Sequence, residues 1–121
     1  MNYNLKGTNL SVTPEIREYL EKKLASLDKL LADKDVVRAD IELEFLPGEE
    51  KMHRAEIMLH DPHTKAPLRA EARAEMLHPA IDIAVAEIFA ELTKAKKKRT
   101  HLLRRGAGQI KDIMRGFRDR L

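Results

Sequence analysis

Apolar residues recur along this chain at two different periods, and each change of period marks the boundary of a predicted element. After Thr13-Pro14, apolar residues lie four and three positions apart, which places one stripe of side chains against a core and predicts a helix as far as about Ala32. Thr13 suits the N-cap of that helix and Pro14 its first turn. The stripe consists of Ile16, Leu20, Leu24, Leu27 and Leu31.

Strict alternation of apolar and polar residues predicts three strands after this helix. They cover residues 37–45, 53–60 and 68–75, and each has one apolar face and one charged face. Short turns around Pro47-Gly48 and residues 61–65 join them, so the three strands should form an antiparallel meander. A shorter alternating segment, Asn2 to Thr8, predicts one more strand before the helix.

A second helical stripe begins after Leu77, with Pro79 in its first turn. Beyond Ala95 the stripe ends while Lys residues continue, which predicts a helix that projects past the body on which it packs. Gly106 and Gly108 predict a break in that helix, because glycine weakens helices. Residues 109–121 then form a short basic amphipathic segment.

The predicted order β-α-β-β-β-α restricts the fold. A strand-helix-strand crossover is right-handed and makes its two strands parallel neighbours or near neighbours. Because the strands are apolar on one side only, both helices should cover that side. The sequence therefore predicts an α+β two-layer sandwich over residues 1–99, with a four-stranded mixed sheet and both helices on one face, followed by a basic C-terminal tail, residues 100–121.

Charge is distributed unevenly along the 121 residues. Residues 1–92 contain 12 Lys and Arg against 18 Asp and Glu, whereas residues 93–121 contain 11 against 2, so a net charge of −6 precedes one of +9. The segment Lys94 to Arg105 contains no acid. Cations there complement the negative pole of a helix, but this concentration is also typical of an arm that binds nucleic acid.

The sequence gives no indication of an enzyme, a metal or a cofactor. The chain has no Cys, and its Ser residues have no neighbouring base in the sequence. The carboxylates of the second strand are expected to pair across strands with Arg54, Arg69 and Arg73. Because no leader peptide or membrane span is visible, we expect a cytoplasmic protein without a membrane partner. The histidines are scattered as His53, His60, His63, His78 and His101.

The first helix adds cations to the basic end. Lys22, Ser26 and Lys29 should lie away from the apolar stripe, with Lys23 at its flank. Such a face is ordinarily a solvated one, but beside the basic end it becomes a candidate part of one binding surface. Because Tyr3, Phe45 and Phe89 are expected in packing, we predict contact with the backbone of a structured RNA, rather than base stacking or a specific DNA site.

Three segments, LSVTPEIREYLEKKLASLDKLL, VRADIELEF and LRAEARAEMLHPAIDIAVAEI, resemble the ribosome hibernation promoting factor family, also called ribosome-associated inhibitor A, over about residues 1–99. The resemblance implies a non-enzymatic stress or stationary-phase factor. Such a factor occupies the mRNA and tRNA channel of the small ribosomal subunit and contacts 16S rRNA. The dimerisation domain of long family members is not seen in the sequence, so a monomeric chain is expected, either an inhibitor or a short-form promoter of ribosome dimers.

The resemblance and the charge pattern together define the predicted rRNA-binding residues. Family contacts carry over to Lys22, Lys23 and Lys29 and to the end of the second helix. Where relatives have Lys and Arg mid-helix this chain has Glu87 and Ala90, and Met76-Leu77-His78 replaces an acid before Met-Tyr. The full predicted set is Lys22, Lys23, Lys29, Lys94, Lys96, Lys97, Lys98, Arg99, Arg104 and Arg105.

One alternative function comes from a different class of protein. The chain is then a small interaction module whose basic amphipathic tail, residues 109–121, docks on an acidic protein or an anionic membrane surface.

Overall fold

The computed structural model describes the backbone of residues 1–119 and the side chains of residues 1–98. Its elements follow the predicted order, and one short 3₁₀ turn, Lys34–Val36, was not predicted. The elements are β1 (Asn2–Thr8), α1 (Pro14–Asp28), β2 (Arg38–Phe45), β3 (His53–His60), β4 (Leu68–Ala74) and α2 (Leu77–Asp119).

The four strands form one mixed sheet in the order β1-β2-β3-β4. β1 pairs with β2 in parallel, while β2 with β3 and β3 with β4 are antiparallel. One row of the sheet places Leu5, Ile41, Ile57 and Ala70 side by side. The parallel pair confirms the predicted crossover through α1, and the two hairpins confirm the meander.

A single core lies between one face of the sheet and both helices. α1 contributes Leu20, Leu24 and Leu27, each at most 4% exposed. The buried stripe of α2 begins at Ala80 and ends at Leu92. Burial of this apolar area from water is the main force that holds the two layers together. The predicted two-layer α+β sandwich with both helices on one face is therefore confirmed.

Helix α1 begins as predicted and ends earlier than predicted. The Ile16 amide donates a hydrogen bond to the Thr13 side-chain oxygen at 3.2 Å, which satisfies one of the unpaired donors of the first turn. The helix ends at Asp28 instead of near Ala32. The amides of Leu30 and Leu31 donate to carbonyls three residues back, so a tighter turn carries the apolar pattern onward.

Helix α2 is longer than predicted. It is continuous from Leu77 to Asp119 and passes through Gly106 and Gly108, so the predicted break is wrong. A glycine inside a helix costs about 1 kcal/mol relative to alanine but keeps its N–H and C=O groups, so strong helix formers on either side can offset it. The division of the chain at residue 99 stays a prediction.

The face of the sheet away from the helices is charged. Glu42, Glu56 and Glu71 lie side by side in neighbouring strands, an arrangement that destabilises a sheet unless cations intervene. Arg54 is that cation, and its side chain is only 12% exposed. Its guanidinium lies 2.7 Å from Glu42, 3.5 Å from Glu44 and 3.0 Å from Glu71, and it also pairs with Glu56.

The predicted pairing of the β2 carboxylates is thus confirmed for Arg54, whereas Arg69 and Arg73 contact carboxylates of β3 and β4 instead. Arg69 contacts Glu56 at 2.7 Å and Glu71 at 2.9 Å on the exposed side of the same row. Hydrogen bonds from Thr8 and Arg54 lower the pKa of Glu42, and hydrogen bonding to Arg54 lowers the pKa of Glu71. Both carboxylates therefore stay ionised at neutral pH.

We expect Arg54→Met to destabilise the domain by about 2–4 kcal/mol, because several half-buried carboxylates lose their shared partner. A carboxylate with a lowered pKa stabilises the fold above its unfolded pKa of about 4.3, and that contribution is lost as the pH falls through the folded pKa. The difference in unfolding free energy between wild type and variant should therefore shrink on acidification below about pH 4. Urea denaturation at several pH values measures it.

The matched control is Arg38→Met, on the same face, whose side chain is 55% exposed and contacts Asp40 at 3.5 Å. This variant should change the unfolding free energy by about 0.5 kcal/mol or less. An Arg54→Met variant no less stable than this control would contradict the role of Arg54.

Candidate nucleic-acid interface

The two helices run side by side in the same direction. Tyr19 and Lys23 of α1 contact His78 and Asp82 at the beginning of α2. Further along, Leu30 and Ala32 line a small cavity of about 30 Å³ together with Leu92, Ala95 and Lys96 of α2 and part of the β3–β4 turn. The C-terminal end of α1 therefore lies beside α2 just where the lysine-rich segment begins.

The contact near the helix N-termini is a polar cluster that we call the interhelix clasp, formed by Tyr19, Lys23, His78 and Asp82. The Tyr19 hydroxyl donates to Asp82 Oδ1 at 2.5 Å, and Lys23 Nζ lies 3.1 Å from the same oxygen. The Tyr19 ring stacks obliquely on His78, with centroids 4.3 Å apart, and Lys23 Nζ lies 5.4 Å from the Tyr19 ring centre.

Electrostatics of the clasp favour the charged forms of both ions. The hydrogen bond from Tyr19 and then the ammonium of Lys23 lower the pKa of Asp82. The hydrogen bond to Asp82 raises the pKa of Lys23. Lys23 is therefore already engaged by an internal anion, which makes it different from the other predicted binding lysines of α1.

The remaining predicted lysines of α1 are exposed. Lys22 makes one long contact, 3.7 Å to Glu18 within the same helix, and its side chain is 75% exposed. Lys29 is exposed directly after the last residue of α1, adjacent to Leu30 at the small cavity. The two helices thus bring Lys29 close to the basic part of α2, which their long separation in the sequence does not reveal.

The predicted lysines of α2 form the exposed basic end of the described surface. Lys94, Lys96, Lys97 and Lys98 are all exposed. Among the described side chains, Lys94, Lys97 and Lys98 make no ion pair, whereas the sheet face is densely paired. The predicted contacts Arg99, Arg104 and Arg105, and the amphipathic segment 109–121, lie outside the residues whose side chains are described.

The aromatic side chains differ from expectation in one position. Tyr3 is half-buried against the core, and Phe45 is half-buried with its ring 5.4 Å from that of His53. Phe89 is 46% exposed on α2, so the prediction that it packs in the core is wrong. The reason is its position: Ile88 and Leu92 complete the buried stripe, and Phe89 follows Ile88 by one residue, which turns it away from the sheet.

Three of the clasp residues, Tyr19, His78 and Asp82, are functional candidates that the sequence did not reveal. The spacing of Tyr19 and Lys23 by one helical turn was a usable signal, because it places both side chains on one face. Nothing in the sequence joined that face to Asp82, which is 63 residues from Tyr19. Their contact depends on the parallel packing of the helices.

Within the described residues there is no cluster of side chains that could hold a metal ion. None of the helices in the described part of the chain is long and apolar enough to cross a bilayer.

Together these features define the class of the molecule: an α+β domain with a charge-paired sheet face and lysines concentrated on its helix layer. A family model described as Sigma 54 modulation protein / S30EA ribosomal protein matches residues 3–100. The chain belongs to this family, and the predicted family resemblance is confirmed.

Individual relatives agree with this assignment. The chain is 31% identical over 98 residues to a ribosome hibernation promotion factor of Bacillus subtilis and equally so to one of Lactococcus lactis. These alignments cover 81% of this chain but 50% and 51% of those proteins. The chain therefore spans about half the length of the curated relatives it matches.

Solved structures show the same fold. The N-terminal domain of Protein Y from Thermus thermophilus is 36% identical, with a TM-score of 0.67, over 78% of this chain and 98% of that one. A ribosomal subunit interface protein from Coxiella burnetii, 18% identical with a TM-score of 0.66 over 80% of this chain and 99% of that one, has the same fold.

We expect Tyr19→Phe to raise the pKa of Asp82 toward its ordinary value, because the hydroxyl hydrogen bond is the largest cause of the lowering. Stability from the clasp should be present above the unfolded pKa of Asp82 and lost as the pH falls through the folded pKa. NMR titration of the Asp82 carboxyl carbon measures the change. Tyr3→Phe, which removes a hydroxyl bonded to Glu21, is the control and should leave Asp82 unchanged.

Proposed function

We propose that this protein is a ribosome-associated hibernation factor that binds small-subunit 16S rRNA by its phosphate backbone and inhibits translation by occupying the mRNA and tRNA channel. Family membership and the names of its relatives support the association with ribosomes. The channel comes from the resemblance to ribosome-associated inhibitor A. The observation that carries the proposal is the concentration of exposed lysines at residues 94–98 of α2, beside the chain segment that follows α1 and begins with Lys29.

The charges of the sheet face are balanced, whereas residues 94–98 of α2 contain lysines and no acid. On the sheet face the cations Lys6, Arg38, Arg54, Arg69 and Arg73 are opposed by the carboxylates of Asp40, Glu42, Glu44, Glu56 and Glu71. Such a balanced face has little attraction for a polyanion. In α2, Lys94, Lys97 and Lys98 have no ion-pair partner among the described residues, so a polyanion approaching the domain is attracted to that part of the helix.

The lysines favour contacts with phosphates over reading of bases. An ammonium group is a flexible point charge that suits phosphate oxygens at many angles. Each phosphate contact releases condensed counterions, so the affinity should fall steeply with salt. Binding of this kind recognises the shape and charge of folded RNA, and inhibition then requires only occupancy, with no covalent step. Ribosomes lie in the cytoplasm, so the proposal places the action of the protein there.

The first test replaces the four lysines at residues 94–98 of α2. We expect Lys94/Lys96/Lys97/Lys98→Ala to abolish cosedimentation with small ribosomal subunits. In titrations with 16S rRNA the slope of log affinity against log salt should decrease by roughly one for each phosphate that the variant no longer neutralises.

The matched control is Lys6/Lys34/Lys51/Arg73→Ala, which removes the same charge from exposed cations outside the two helices. It should keep most of the affinity and the full salt slope. If both variants lose binding equally, net charge alone governs association and the proposed site is wrong.

A second test uses the difference between Lys23 and Lys29. Because Asp82 already holds Lys23, Lys23→Ala should weaken rRNA binding less than Lys29→Ala. Asp82→Asn should strengthen binding, since it removes an anion from the helix layer and releases Lys23. Filter-binding titrations at one salt concentration compare the three variants. Weaker binding by Asp82→Asn, in a variant that remains folded by circular dichroism, would contradict this account.

A further inference from the structure

The outward face of α2 carries apolar side chains that nothing described in this chain covers. Of the four large hydrophobic residues most exposed among those described, three lie just before α2 or in its first half: Met76, Ile83 at 44% and Phe89 at 46%. Exposed Ala86 and Ala90 continue the surface from Ile83. Contiguous apolar surface of this kind marks a site of protein contact.

The spacing of this surface is that of a helix-pairing seam. Such a seam keeps one stripe of a helix facing a partner helix when its members alternate at intervals of four and three. The alanines in the middle of the stripe allow two helix backbones to approach closely. We call this stripe the α2 seam, and its members are Pro79, Ile83, Ala86, Ala90, Thr93 and Lys97.

Charges beside the seam reverse sign along the helix. Glu87 lies on one flank and Lys94, one heptad later, lies on the same flank. Neither makes an ion pair with another described residue, as none of the described contacts includes them. Phe89 lies on the opposite flank, midway between the two ends of the seam.

This pattern is complementary to itself in one orientation. If a second α2 packs antiparallel about a twofold axis near Phe89 and Ala90, each Glu87 comes opposite Lys94 of the other copy. The two Phe89 rings then meet close to the axis. In a parallel pair the same flank of each helix lies on opposite sides of the interface, so Glu87 and Lys94 would not face one another and this charge pairing would be absent. Twofold pairing of identical surfaces is the commonest form of oligomer.

We propose that two copies of this chain associate through the α2 seam, with their α2 helices antiparallel. The occupant of the exposed apolar face is therefore a second copy. The sequence alone predicted a monomer, because the dimerisation domain of long family members is not seen in it.

Association of this kind would compete with RNA. The dimer covers Lys94 and surrounds Lys97, which also belong to the proposed rRNA surface. RNA binding should then dissociate the dimer. This consequence rests on the proposed function, whereas the dimer does not, because its mass is measured without RNA.

The first experiment measures mass against concentration by analytical ultracentrifugation at low salt. The wild-type mass should rise from 13.9 kDa toward twice that value. Ile83→Glu/Phe89→Glu should raise the dissociation constant about tenfold or more, because it puts charge into the apolar contact. Val36→Glu changes an exposed apolar residue outside α2, 52% exposed, and should dimerise like wild type.

The second experiment tests the charge pairing and the orientation. Glu87→Lys alone and Lys94→Glu alone should each weaken self-association, because each puts like charges opposite one another. The double variant Glu87→Lys/Lys94→Glu exchanges the two charges, so it should dimerise with itself as wild type does. Circular dichroism checks that each variant is folded.

A mixture of wild type and the double variant then distinguishes the two orientations. Antiparallel pairing of one wild-type helix with one double-variant helix places like charges opposite one another, so the two proteins should sort into separate dimers. Parallel pairing would keep these charges apart, so mixed dimers would form as readily as unmixed ones. Sedimentation with a fluorescent label on wild type alone, against unlabelled double variant, measures the mixed species.

A wild-type chain that remains at 13.9 kDa at every concentration would overturn the proposal. So would a dimer unaffected by Ile83→Glu/Phe89→Glu, or mixed dimers formed as readily as separate ones. If the double glutamate variant keeps the mass of wild type but loses rRNA binding, the seam is an RNA contact and the proposal of a second copy is wrong.

Discussion

The arrangement of charge in this molecule depends on the ion pairs between Arg54 and the glutamates of the sheet. Three glutamates stand abreast across β2, β3 and β4, and the strand register that places them there is the same register that turns the apolar residues into the core. Because side chains alternate between the two faces, a register that buries the apolar residues also aligns the glutamates on the outer face. The half-buried guanidinium between them makes that register compatible with a charged outer face. Because this face is neutralised internally, attraction for a polyanion is left to the helix layer.

In the helix layer, too, some cations are paired internally and others are exposed to solvent. Lys23 is used to hold α1 against α2 through Asp82, whereas Lys22 and Lys29 face solvent. A count of lysines on the helix surface therefore overstates the charge offered to a ligand. Parallel packing adds Lys29 to the basic end of α2, so the candidate surface is made by two segments distant in the chain. Family membership gives this surface a biological context, and the apolar seam on the same helix gives it a proposed competitor.

Most of the fold could be predicted because short stretches of sequence carry the hydrophobic pattern and the capping residues of each element. Alternation identified β2 and β3 within one residue, and Thr13-Pro14 located the beginning of α1. Local pattern failed where hydrogen bonding or packing decides: the tightened turn after Asp28 looks like more helix, and Gly106 and Gly108 look like a stop. The prediction for Phe89 was wrong because the scarcity of aromatic residues does not show on which face of α2 this side chain lies. The clasp was invisible because its members meet only through tertiary packing.

The parallel course of the two helices has a further electrostatic consequence. Parallel helices align their dipoles, which places like poles side by side when the helices end together. Here α2 continues far beyond α1, so the partial negative charge at the C-terminal end of α1 lies beside the lysines of α2 and not beside another negative pole. Those lysines therefore complement a helix end within the folded chain itself. Selection can retain part of this basic surface for the stability of the fold, independently of any ligand.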